Sequence, residues 1–289
     1  MTPPLSPTPR QQLRQLMSQP GIIPTLAPHD VFSALVMVES GLRCLFLGGF
    51  GTSASLLGLP DLNLITVSEM AEAIRRMTAR ISVPVIADGD TGHGDLHNVR
   101  RTVELFEAAG AAGILLEDQV TPKRCGHFPN KPVVSREEFT RRIRTAVQAR
   151  RDPQFVIFAR TDARQTLGLQ ECLDRIRRCI DVGADAGFVE APQSLEELEA
   201  IPRSLPVPML ANMLSGGTTP IVTVPALGAM GYKFAVAPIE SLTVTGKAIQ
   251  ELTRTWLTQG RVDELSNAAM SFGDLKKMLR VDELLQPNP

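Results

Sequence analysis

A chain of 289 residues with 43% hydrophobic and 21% charged side chains has the composition of a folded protein, which excludes a disordered or fibrous chain and permits one large domain or two small ones. Thirty basic residues against thirty-one acidic ones give a formal net charge of −1, so no cationic excess is available to hold a nucleic-acid backbone or an anionic membrane surface. Residues 1–20 form an extension rich in Pro, Gln and Arg without the apolar core of a secretory signal, and no apolar run nears the roughly 20 residues that cross a bilayer. The expectation is a cytoplasmic chain with reduced cysteines that engages neither nucleic acid nor membrane.

Eight mainly apolar runs follow in order, at 22–27, 44–49, 84–90, 113–119, 155–162, 187–192, 208–213 and 232–238. None alternates as a half-exposed sheet does, which points to parallel strands buried on both faces. Amphipathic stretches fill the gaps, among them 68–80, 97–109, 135–150 and 169–182. Eight β-then-α repeats in about 250 residues predict a (β/α)8 barrel, with residues 1–289 forming one barrel domain. A doubly wound sheet fits less well, because no G-x-G-x-x-G opens a helix. Past residue 238 two further helices are expected, at 240–258 and 261–285, so that 240–289 is a C-terminal helical segment beyond the needs of a barrel. The second carries Leu265, Met270, Phe272, Leu275, Met278 and Leu279, an apolar face suited to docking on another subunit or on its own barrel.

In such a barrel, polar residues at the C-terminal strand ends mark the active site. Here the third strand ends in Asp88-Gly89-Asp90, the fourth in Glu117-Asp118-Gln119, the fifth in Arg160-Thr161-Asp162, the sixth in Glu190 and the seventh in Asn212. Asp88 and Asp90 stand two apart, so strand geometry predicts that they share a face, with Glu117 on the next strand. Three unpaired carboxylates would raise one another's pKa, and a divalent cation is the simple resolution. An all-oxygen donor set favours Mg²⁺ or Mn²⁺. The alternative is that Arg160 or Lys123 neutralises the trio without metal. After the fourth strand, Lys123, Arg124 and His127 surround Cys125 and Gly126 in sequence. Cationic neighbours favour a thiolate, and a thiol so placed can act as acid or base. Cys44, Cys172 and Cys179 lack that setting and read as packing residues. His93 is the histidine nearest the rim.

The runs GLPD at 58–61, DGDTG at 88–92, EDQ at 117–119, KRCGH at 123–127, ARTDA at 159–163 and ANM at 211–213 together resemble the isocitrate lyase and phosphoenolpyruvate mutase superfamily. The likeness runs from about residue 21 to the C-terminus. The KRCGH run looks like the branch that holds the isocitrate, 2-methylisocitrate and 2,3-dimethylmalate lyases and petal death protein, and carboxyphosphonoenolpyruvate mutases share it. The resemblance implies Mg²⁺ held by Asp88, Asp90 and Glu117, with Asp61 facing the site. Arg160, Glu190 and Asn212 match positions that bind substrate or order the metal shell, and Cys125 matches the general acid/base. Gly48, Gly49, Phe50, Lys123, Arg124, Gly126 and His127 complete the expected substrate contacts. It also implies a homotetramer with C-terminal helices exchanged between barrels.

The implied reaction cleaves the C2–C3 bond of a 2-hydroxy acid, leaving a 2-oxo acid (pyruvate or glyoxylate) and a carbanion that Cys125 protonates. Two departures bear on the substrate, a small-molecule 2-hydroxy or 2-oxo dicarboxylate. Gly48-Gly49-Phe50-Gly51 stands where relatives often have Ser/Thr-Gly, and Ser215 stands where Glu is common. The Phe50 ring shifts the expectation from methylisocitrate to a smaller substituted malate. Competing readings are a mutase-like phosphonate enzyme, an oxaloacetate-processing hydrolase or decarboxylase, and a catalytically idle binding barrel.

Overall fold

All eight apolar runs are strands in the structure, a computed structural model that describes residues 6–126, 131–263, 265 and 269–286. They are β1 (Ile23–Leu26), β2 (Leu45–Leu47), β3 (Val85–Asp88), β4 (Gly113–Glu117), β5 (Val156–Thr161), β6 (Ala186–Val189), β7 (Met209–Asn212) and β8 (Phe234–Ala237). Every ladder is parallel and the order is β1-β8-β7-β6-β5-β4-β3-β2, with β1 and β2 adjacent at the seam. The result is a nearly closed (β/α)8 barrel.

Strand side chains divide by parity, because successive residues point to opposite faces. Phe46, Ile86, Leu115, Phe158, Phe188, Leu210 and Phe234 fill the barrel interior, where the Phe158 and Phe234 rings meet edge to face at 5.4 Å. Leu45, Leu47, Val85, Ala87, Ile114, Leu116 and Ile157 pack outward against the helices. Both faces are apolar, which is why the sequence shows runs with no alternation.

The helices are α1 (Pro9–Ser18), α2 (Val31–Glu39), α3 (Gly49–Leu57), α4 (Val67–Thr78), α5 (Leu96–Ala108), α6 (Arg136–Ala149), α7 (Arg164–Leu167), α8 (Leu169–Asp181), α9 (Leu195–Ser204), α10 (Val224–Met230), α11 (Glu240–Gln259), α12 (Phe272–Met278) and α13 (Val281–Leu285). Polar side chains start many of them: Thr66, Asp95, Ser135 and Ser194 each accept a hydrogen bond from a first-turn N–H. Helix α1 closes the N-terminal end of the barrel. Leu13 and Leu16 join the interior cluster, Arg10 donates to the Ala111 carbonyl at 3.1 Å, and Arg14 pairs with Asp185 at 2.8 Å.

One expected element is corrected. The helix predicted over 261–285 is replaced by α12 and α13. Ser271 accepts from the Asp274 N–H and starts α12 afresh, and Arg280 at φ 58° turns the chain between the two. Leu275 and Met278 are half-buried on α12, and this helix packs near α2 of its own barrel, whereas Phe272 is 74% exposed. Among the described residues no helix is long and apolar enough to cross a membrane.

Candidate active site

The C-terminal strand ends surround a cavity of about 240 Å³. Ligand sites for drug-sized molecules run from about 300 to 1,000 Å³, so this one suits a smaller molecule. Of the predicted residues, Gly48, Gly49, Phe50, Asp61, Asp88, Glu117, Lys123, Arg124, Cys125, Gly126, Arg160, Glu190 and Asn212 all line it. Asp90 lies directly behind, wholly buried, and His127 falls outside the described residues.

Asp90 comes to the cluster by a different route from the one strand alternation predicts. Strand β3 ends at Asp88, and Asp90 turns back at φ 49°, its N–H donating to Asp88 Oδ1 at 3.1 Å. That left-handed conformation is tolerable for an Asp and strained for most residues. Gly49 opens α3 against the two carboxylates, and its N–H donates to Asp88 Oδ2 at 3.3 Å. A Cβ at Gly49 would stand 3.4 Å from Asp90 Oδ1, 3.5 Å from Asp88 Oδ2 and 3.3 Å from Lys123 Nζ, so a bare backbone gives the cluster room.

Lys123 brings its cation to the carboxylates. Its ammonium reaches inward, 2.5 Å from Asp61 Oδ1 and 2.7 Å from Asp90 Oδ1. Burial pulls its pKa down, but the carboxylates of Asp90, Asp61, Asp88 and Glu117 outweigh burial and hold it well above the usual lysine value. Arg124 is exposed, and its backbone is clamped by the Gln119 side chain through two hydrogen bonds of 2.9 and 3.0 Å. Cys125 is half-buried on the cavity wall, with its N–H donating to the Asp61 carbonyl at 3.2 Å. The remaining cysteines are buried as expected, and burial raises the Cys44 and Cys172 thiols to about 12.

Across the cavity, Arg160 links the carboxylates. Its guanidinium lies 2.8 Å from Asp162 Oδ2, 3.1 Å from Glu190 Oε2 and 3.4 Å from Glu117 Oε2, and its cationic face rests on the Phe188 ring. Burial raises Asp90 to about 7, against the opposing pull of Lys123, and raises Glu117 well above the carboxylate range, against Arg160. Asp162 goes the other way: burial favours its neutral form, yet Arg160 and Lys131 overcome this and hold it below the ordinary value.

Sequence reasoning missed two kinds of residue. Lys131 is fully buried and donates to both the Gly126 carbonyl and Asp162 Oδ1, so it seats the cysteine segment on the Arg160 network. Gly126 itself lies so close that a Cβ there would overlap the Arg160 guanidinium and stand 2.7 Å from Glu190 Oε2. The other omission is the apolar wall of Phe46, Phe188, Leu210, Leu214, Val236 and Ile239, which the runs disguise as ordinary core.

Whether the cluster suits a divalent cation follows from its donors. Asp90 Oδ2 and Glu117 Oε1 are buried with no hydrogen-bond partner, a costly arrangement that a cation relieves. Among the described residues no three such donors stand close enough to enclose one ion directly. Mg²⁺ suits that arrangement, because it keeps several waters and takes only one or two carboxylates directly. The residues present therefore fit the group.

Comparison with known proteins agrees with this geometry. The phosphoenolpyruvate phosphomutase family model matches residues 13–256. The 2,3-dimethylmalate lyase of Eubacterium barkeri is 37% identical over 273 residues, covering 94% of each chain. Oxaloacetate acetylhydrolase, solved with the inhibitor 3,3-difluorooxalacetate, superposes with a TM-score of 0.90 at 35% identity, covering 96% of this chain and 95% of that one. Phosphonopyruvate hydrolase, solved with oxalate and Mg²⁺, gives 0.86 at 28% identity, covering 96% and 97%. A barrel of this topology, the buried carboxylate and arginine network at its mouth and a family match across most of its length together establish that the chain belongs to the phosphoenolpyruvate mutase/isocitrate lyase superfamily and is an enzyme of lyase type.

Proposed function

We propose that the chain is a Mg²⁺-dependent (or Mn²⁺-dependent) carbon–carbon lyase that cleaves a substituted malate or related 2-hydroxy dicarboxylate into a 2-oxo acid and a carboxylate. The observation that carries this reading is that Glu117, with an orphaned buried carboxylate oxygen, and Cys125 line one small cavity, with a second orphaned carboxylate, Asp90, buried directly behind it. Asp88, Asp90 and Glu117 would hold the metal, which supplies a Lewis acid for the oxygen on C2. Arg160, fixed by Asp162 and Glu190, stabilises negative charge that grows on the substrate as the C2–C3 bond breaks. The C2 hydroxyl gives up its proton to solvent as its oxygen becomes the carbonyl of the 2-oxo acid, the C2–C3 electron pair passes to C3, and Cys125 gives its proton to that carbanion, forming the new C–H bond and becoming a thiolate. Asn212 and Glu190 fix the orientation of the bound acid, with Gly48, Gly49 and Gly126 letting backbone approach it closely.

Substrate size follows from charge balance. Among the described residues the cavity's buried cations, Lys123 and Arg160, are each already paired with at least two carboxylates. A third carboxylate on the substrate finds little compensation, and the facing wall is apolar. A dicarboxylate with alkyl substituents fits better than a tricarboxylate. The likeness to oxaloacetate acetylhydrolase favours a second reading, hydrolytic cleavage of an oxaloacetate-type bond in the same site. Product analysis with 2,3-dimethylmalate, methylisocitrate and oxaloacetate, each with Mg²⁺ and with chelator, separates them. The proposal requires metal-dependent 2-oxo acid from a 2-hydroxy acid; oxalate and acetate from oxaloacetate alone would replace it with the second reading.

The same reading extends to assembly. Ile249, Leu252, Trp256 and Leu257 are 45–77% exposed on α11 and suit burial against a second copy in a homotetramer. Light scattering tests it, and a monomer at micromolar concentration would contradict it.

A further inference from the structure

Ser215 lacks a carboxylate, but a carboxylate nevertheless sits on its loop. Glu240, the first residue of α11, accepts from the Ser215 N–H at 2.9 Å through Oε1 and from the Ile239 N–H at 3.1 Å through Oε2. It thus joins the segment after β7 to the segment after β8. The next residue extends the tie around the rim: Ser241 Oγ donates to the Ala27 carbonyl at 2.5 Å and lies 3.2 Å from His29 Nδ1, on the segment after β1. Residues 240 and 241 therefore gather three neighbouring strand ends, since β7, β8 and β1 are consecutive in the barrel. The residues held next to these ties are Leu214, Pro238 and Ile239, and all three line the cavity.

We propose that Glu240 is a positioning residue that fixes the apolar wall of the active-site cavity and so sets the preference for an alkyl-substituted dicarboxylate. The inference rests on the site reading given above and adds a residue that touches no reacting atom. Loop segments move readily unless their backbone groups are tied down, and one carboxylate taking a backbone N–H from each of two loops removes that freedom. A methyl group gains affinity only from a wall held in contact with it, and two methyl groups buried there strengthen binding roughly tenfold.

The test compares affinities of the full-length chain for succinate and 2,2-dimethylsuccinate, with Mg²⁺ present and oxalate as control. The wild-type chain should bind the dimethyl compound roughly tenfold more tightly. Glu240→Ala should lose most of that ratio while oxalate affinity stays within about twofold, because oxalate has no alkyl group to meet the wall. Trp256, the chain's single tryptophan, lies on the same helix and reports by its fluorescence that α11 remains folded. If the alanine variant does not fold, Glu240→Gln decides the case: it keeps the shape and one acceptor oxygen, and must still narrow the ratio. A ratio unchanged in either variant, a parallel fall in oxalate affinity, or no preference in the wild-type chain would overturn the role of Glu240. Failure of the wild-type chain to bind oxalate with Mg²⁺ would instead refute the site reading itself.

Discussion

The two halves of the barrel rim solve opposite problems. From β3 to β6 the rim buries a dense ionic lattice: Asp88, Asp90, Glu117, Asp162 and Glu190 against Lys123, Lys131 and Arg160. From β7 through β8 to β1 it presents mainly Leu210, Leu214, Val236, Pro238 and Ile239, with Asn212 its polar member in the cavity and with Glu240 and Ser241 tying the loops together. Buried charges are expensive unless paired, so the first half is kept for chemistry that needs them. The second half has only to be held still to discriminate by shape. On the proposed reading, lyase chemistry and substrate choice fall to different strands, so that each should be perturbed without the other.

The largest expected effect comes from dismantling the ionic half. Removing the divalent cation, or Asp88→Ala, should lower kcat roughly a thousandfold or more, because charge stabilisation worth several kcal/mol is lost. Turnover measured across a Mg²⁺ titration checks it, and full activity in excess chelator refutes it. Gly126→Ala comes next. A methyl group that overlaps Arg160 must push the cysteine segment off its seat, so kcat should fall by about tenfold to a hundredfold with stability down about 1–3 kcal/mol. Steady-state kinetics beside thermal melting decides it, and a variant with unchanged kcat would mean that the segment's seat is unimportant. Phe50→Gly belongs to the selective half's edge: it should move preference toward methylisocitrate relative to dimethylmalate by about tenfold, read from the ratio of kcat/KM values.

The smallest effect concerns His93, behind the ionic half. Burial pushes its pKa down to about 4 from an ordinary 6.5, with Asp88 opposing. A depressed pKa means that the folded protein keeps the neutral ring. Its contribution to stability is therefore full above about pH 6.5 and is lost as pH falls toward 4. The loss reaches on the order of 2 kcal/mol by pH 5. Asn tolerates the φ of 58° at this position and does not titrate, so His93→Asn should melt with a shallower acid dependence between pH 7 and 5. Parallel melting curves for the two proteins would contradict this.

What was legible in the residues and what was not divides along the same physical line. The eight strands were readable because each is a short apolar run buried on both faces, and the rim residues because strand ends carry βα loops. Asp90 comes beside Asp88 through a left-handed turn beyond the strand, which alternation cannot foresee. Lys123 is close to Cys125 in sequence, and its side chain is long enough to join carboxylates on other segments, which sequence proximity alone does not show. Lys131 and Glu240 act across 31 and 25 residues of chain, through contacts that only the closed barrel creates. The break between α12 and α13 depends on one positive φ at Arg280, a residue type that carries no turn signal.

On the proposed reading Cys125 completes the ionic half as the proton donor, and Cys125→Ser is the substitution that probes this role. A serine hydroxyl nearly matches the thiol in size but is a far weaker acid. General acid catalysis contributes about 10² to 10⁴ in rate, so kcat should fall by that order while affinity for oxalate with Mg²⁺ stays nearly unchanged. A loss under tenfold would contradict the role, and a parallel collapse of oxalate binding would show that the substitution acts through the segment's structure and that proton donation is not what it removed.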